Sequence, residues 1–158
     1  MNIKRLETSR LFHRFGFGPR PGEYAQALKA GVPATRTKLT TAPAMQTTIT
    51  PVLIPEITDL GKRPEPNTPE VVTFALAMRN QSQQMGLWWL DMMALSDHGL
   101  TERMVWFWHG HWATSIQKLN YPLPMFNQNK TLRAHSLGNF NTMTKAMPND
   151  GALQFWLD

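Results

Sequence analysis

The chain has 158 residues, 42% of them hydrophobic and 17% charged, and it contains no cysteine. This length fits one domain able to bury about two thirds of its unfolded surface, and the apolar content excludes a disordered chain. Without cysteine there are no disulfides, no thiolate metal sites and no cysteine nucleophile.

No stretch approaches about 20 consecutive apolar residues, so no membrane span is expected. The first residues, MNIKRLETSRLFHRFGFG, carry charge and lack an apolar core, so they do not read as a signal peptide. The expected location is therefore cytoplasmic. The formal charge of +5 is uneven, because residues 1–63 hold ten Lys/Arg against four Asp/Glu and the remainder hold six against seven. The basic N-terminal third could meet phosphate or an acidic protein partner. No basic run exceeds two residues, which disfavours nucleic acid as a partner.

In chain order, Thr8 or Ser9 is expected to cap a short helix through Phe15, with Leu11, Phe12 and Phe15 on one face. Gly16, Gly18 and Pro19 interrupt it. A second helix is expected from Pro21 to Gly31. Residues 32–69 are rich in Thr and Pro, with Pro33, Pro43, Pro51, Pro55, Pro64, Pro66 and Pro69, and read as a long irregular wrap. Val52, Leu53, Ile54 and Ile57 are its expected anchors.

Residues Glu70 to about Leu95 carry apolar side chains at helical spacing, namely Val71, Phe74, Ala75, Met78, Met85, Trp89 and Met92. From Met85 onward the segment is apolar nearly all round, as in a helix buried on most sides, and Asp91 is the exception. Gly99 is expected to stop it. A helix from about Thr101 to about Lys118 follows, then another from about Met125 to Met147. The latter has a less polar stripe of Leu132, Ser136, Phe140, Met143 and Met147 and a polar one of Gln128, Thr131, His135, Asn139 and Thr142. Residues 148–151 make a turn, and ALQFWLD begins a further helical element. The whole reads as a single all-α domain of about five helices, with 158 residues forming the N-terminal part of a longer protein.

The segment LTERMVWFWHGHWATS at 100–115 is the centre of this frame, with three of six tryptophans and two of five histidines. Aromatics at this density call for burial, since each ring can remove roughly 150–250 Å² from water. Most of Trp88, Trp89, Trp106 and Trp108 are expected in the core. On an ideal helix His109 and His111 point about 200° apart. They reach one metal only if the backbone distorts, and Gly110 between them is the residue that would permit it. With the helix regular, the two imidazoles face different surroundings and only one approaches His135.

Four segments together resemble a bacterial family, domain of unknown function 1800: RLFHRFGFGPRPGEY, GLWWLDMMALSDHGLTERMVWFWHGHWATS, MFNQNKTLRAHSLGNF and the terminal ALQFWLD. Trp112 stands where that family commonly has Phe, and Gly110 where it commonly has Asn. The resemblance implies a longer protein and a helical fold with its site on these segments; many relatives carry export signals, and none is seen here. It implies no particular reaction.

The residues that could carry chemistry are His109, His111 and His135 as ligands for a divalent metal such as Zn, Fe or Mn, with Glu102 and Asp91 as catalytic or supporting carboxylates. Glu102 lies two turns, about 10 Å along the axis, before His109. The competing reading is a non-catalytic scaffold or interaction module, in which the histidines are hydrogen-bonded structural groups and Arg103 and Arg133 pair internally with Asp91 and Glu102. A protein partner would meet the basic N-terminal third or an apolar C-terminal face around Trp156 and the 125–147 segment.

Overall fold

A computed structural model describes residues 3–41 and 52–158. Among the described residues the fold is all helical: α1 Ile3–Arg14, α2 Glu23–Ala30, α3 Val32–Thr40, α4 Glu70–Leu95, α5 Gly99–Trp112, α6 Ile116–Leu119, α7 Pro122–His135, α8 Phe140–Ala146 and α9 Gly151–Leu157, with one 3-10 turn at Met147–Asn149. The all-α class is as expected, and the number of helices is higher because three expected elements are divided or newly formed.

α1 begins before Thr8, which is buried inside it and donates its hydroxyl to the Lys4 carbonyl at 2.8 Å. Thr8 is therefore an internal residue and not a cap. Phe12 is buried and meets the Tyr24 ring at 6.5 Å, tying α2 to α1. The irregular wrap expected from residue 32 is wrong in its first part, where α3 stands. Pro33 falls in the first turn, where its missing N–H is not needed. Buried Thr35 donates to the Gly31 carbonyl at 2.8 Å, and α3 packs on both α1 and α2. Packing has overridden a weak Thr-rich propensity.

Residues 52–69 are irregular, as expected, with a turn at Pro66–Asn67; Pro43 and Pro51 lie outside the described residues. Val52 is buried with Trp88, Met92 and Phe126, and Ile57 packs on that cluster. Leu53 and Ile54 are not anchors, since both are exposed. The segment is held instead by a reciprocal pair: Thr58 N–H donates to Gln81 Oε1 at 3.2 Å, and Gln81 Nε2 donates to Thr58 Oγ1 at 2.9 Å.

α4 spans the range expected of it, but its inner face turns on Met78, Gln81, Trp88 and Met92, with Ala75 exposed. Gly99 does not end α4; Ser96 does, and Gly99 opens α5. There it lies against Gly16: a Cβ added to Gly99 would stand 3.2 Å from the Gly16 Cα and 3.3 Å from the Phe15 carbonyl oxygen. Only glycine permits that approach of two backbones. Arg20 reinforces the junction, donating to the Leu95 carbonyl at 3.2 Å and pairing with Asp97.

α5 stops at Trp112, short of the expected Lys118, because Ala113 takes a left-handed conformation at φ 53°. Ser115 then caps the short α6, its hydroxyl accepting from Gln117 N–H at 3.2 Å. The helix expected over 125–147 is two helices, with a break before Asn139, whose side chain accepts from Asn141 N–H at 2.8 Å and caps α8. Leu132, Ser136, Met143 and Met147 are buried as the less polar stripe suggested, and Phe140 is exposed.

Gln128, assigned to the polar stripe, is fully buried. It accepts from the Thr114 hydroxyl and donates through Nε2 to Asp150 Oδ1 at 2.8 Å. The same Asp150 oxygen accepts from Leu153 N–H at 2.9 Å, capping α9. One buried polar chain thus joins the end of α5 to α7 and α9.

Candidate aromatic and cationic groove on α5

α5 crosses the centre of the fold, packed against α7 on one side and α4 on another. Its inner face carries Thr101, Glu102 and Val105, all buried. Val105 joins Leu132, Met143 and Met147 in a core cluster against which Trp89, Trp108, Trp112 and Leu153 pack.

Glu102 is 1% exposed and pairs with Arg133 Nη1 of α7. Arg133 Nη2 also donates to Asn129 Oδ1 at 2.8 Å, and its guanidinium lies 5.2 Å from the centre of the Trp88 ring. Burial pushes the Arg133 pKa down to about 10, which leaves it charged at neutral pH. The second Glu102 oxygen, Oε2, is buried without a hydrogen-bond partner. Glu102 is thus the buried partner of Arg133, not a group open to solvent.

The two neighbouring histidines diverge. The His109 ring meets Trp89 edge-on at 5.1 Å and is half-buried. Burial holds its pKa below the usual imidazole value. His111 is exposed and touches Phe107, Trp108 and Trp112, its ring lying within 19° of parallel to Phe107. α5 runs without distortion through Gly110. His135 ends α7 and is half-buried, its carbonyl accepting from Gly138 N–H at 3.0 Å. Asp91, the charged exception on α4, is exposed.

Among the described residues no three His, Cys, Asp or Glu side chains are placed to hold a metal ion. His109 and His111 diverge, as expected of a regular helix, and the shared metal site that a distortion at Gly110 would have permitted is not formed among the described residues. A regular helix sends side chains two apart to opposite flanks, and nothing at Gly110 changes that.

Instead, the outer face of α5 lines a groove of about 680 Å³ with Arg14 of α1, and the other residues on its walls include Arg103, Trp106, Phe107, Gly110 and His111. Trp106 is 53% exposed and Phe107 54%, so Trp106 is not in the core where it was expected. Arg103 does not pair with Asp91 or Glu102 as expected; its guanidinium sits 5.3 Å from the centre of the Phe17 ring, and Phe17 meets Trp106 edge-on at 6.4 Å. Aromatic bulk in the sequence favours burial without saying which flank of the helix is covered. The signal of the groove is the spacing of Arg103, Trp106, Phe107 and Gly110 along one flank of α5, opposite Val105.

These features define an all-helical module with a buried ion pair at its centre and an aromatic, cationic groove on one face. The chain belongs to the family described as "Protein of unknown function (DUF1800)", which matches it over residues 10–158. No curated protein and no solved structure matches it. Among the described residues no helix is long and apolar enough to cross a membrane.

Proposed function

We propose that the chain is a helical binding module whose histidine-centred site is the outer face of α5, with His111 as its working imidazole and Arg14 and Arg103 supplying positive charge. The observation that supports this is the divergence of the two histidines: His109 is turned into the aromatic interior, while His111 opens on the groove. None of the residues lining that groove is acidic. Two guanidiniums and an imidazole without a neighbouring carboxylate suit an anion, which they would hold by charge-assisted hydrogen bonds.

In this reading the scaffold role falls to the other groups. His109 and His135 serve packing, Glu102 positions Arg133, and Asp91 lies outside the site. A metal-dependent form, with Zn, Fe or Mn, would use His111 together with ligands from outside the α5 face.

The experiment is a titration of inorganic phosphate into the intact chain, followed by NMR signals of the histidine rings. Saturable shifts at His111, absent at His109 and abolished by Arg14→Ala with Arg103→Ala, are expected. No saturable response at His111 would overturn the anion reading. A parallel zinc titration that perturbs His111 and His135 together, with no response to phosphate, would replace it by the metal-dependent one.

A further inference from the structure

Gly110 occupies the outward flank of α5 in mid-helix, and packing does not explain it. A Cβ built there would meet nothing within 4 Å, in contrast to Gly16 and Gly99, whose Cβ atoms would press on backbone. The helix needs no left-handed residue at this point, because it continues to Trp112. Glycine is also the poorest helix former after proline. What glycine does supply is a bare stretch of backbone, which lets another group approach closely.

That bare stretch lies in the groove among partly exposed aromatic rings. Trp106 and Phe107 are more than half exposed, and the Phe107 and His111 rings are nearly parallel with their centres 6.4 Å apart. Arg14 and Arg103 also line the groove. The Arg103 guanidinium carbon lies 5.3 Å from the centre of the Phe17 ring, which holds its positive charge at the groove wall.

We propose that the groove takes a small anion carrying a planar ring, the ring lying on the Gly110 backbone beside Trp106 and Phe107 and the acid group reaching Arg14 and Arg103. This rests on the anion reading of the α5 face and adds the ring to it. The groove volume of about 680 Å³ is in the range of small-molecule sites.

The test compares phenyl phosphate, inorganic phosphate and benzyl alcohol on the intact chain, by NMR and by tryptophan fluorescence. Phenyl phosphate is expected to bind about tenfold or more tightly than either fragment. Gly110→Ala is expected to weaken phenyl phosphate by about tenfold while changing inorganic phosphate less than about twofold, since a methyl lifts the ring but leaves the arginines in place. Phe107→Leu reads the same ring contact from the wall of the groove and is expected to act in the same direction. If inorganic phosphate binds at His111 but phenyl phosphate binds no more tightly, or Gly110→Ala leaves its affinity unchanged, the ring-bearing ligand is excluded and the anion site stands. If neither phosphate binds at His111, the anion reading beneath it falls as well.

Discussion

Arg133 of α7 and Glu102 of α5 form an ion pair whose side chains are 9% and 1% exposed, with the Arg133 guanidinium also held by Asn129 and the face of Trp88. It is the main charged contact across the α5–α7 interface at the centre of the fold. Taking two charges from water offsets much of their attraction, so the pair contributes position more than net stability.

Removing one member should therefore be far worse than removing both. Glu102→Leu or Arg133→Met alone is expected to lower unfolding free energy by about 3–5 kcal/mol, and the double variant by clearly less than the sum. Urea unfolding of the four proteins gives the coupling energy. Strictly additive losses would mean that the two residues do not act as a pair.

Gln128 is the second internal crosslink. Gln128→Leu leaves the Thr114 hydroxyl and the Asp150 carboxylate short of a buried partner. Each orphaned group is expected to cost about 1–3 kcal/mol. Hydrogen exchange should quicken first in α9, whose cap is Asp150; exchange that quickened in α1 alone would contradict this.

Two glycines in one helix should respond with opposite sign. Gly99→Ala drives a methyl against the Gly16 backbone and is expected to destabilise by about 1–3 kcal/mol, as overpacking does. Gly110→Ala meets open space and is expected to stabilise by up to about 1 kcal/mol through helix propensity. Thermal unfolding of the two variants decides it.

His109 makes stability depend on pH. Its folded pKa lies below the ordinary value through burial, so between the folded value and about 6.5 the unfolded chain binds more protons than the folded one. Stability is then complete above about pH 6.5 and falls as pH drops through that window. His109→Phe should flatten this part of the profile. Chemical denaturation of the parent and the variant across the acid range is the measurement; a slope unchanged in His109→Phe would assign it to another group.

How much of this was legible depended on the kind of interaction. α4 was readable end to end because 26 residues of helical spacing carry no internal stop. α3 was not, since its Thr and Pro residues are weak helix formers made helical by contact with α1 and α2. The break at Ala113 has no glycine to announce it, and the one before Asn139 rests on a local cap. Within the site, the pairing of Glu102 with Arg133 could be anticipated, because a carboxylate in so apolar a run needs a cation. The exposure of Trp106 could not, because it depends on which flank of α5 finds neighbours.

By itself the sequence determined the helical class, the burial of a core around α4 and α5, and the divergence of His109 from His111, all of which follow from side-chain period and the geometry of a regular helix. Tertiary structure alone decided which imidazole is enclosed and which is open, that Asp91 is exposed, and that Arg14 arrives from a distant helix to complete the groove. Those outcomes depend on the order in which helices pack around α5, and a periodic pattern specifies a buried face without specifying what covers it.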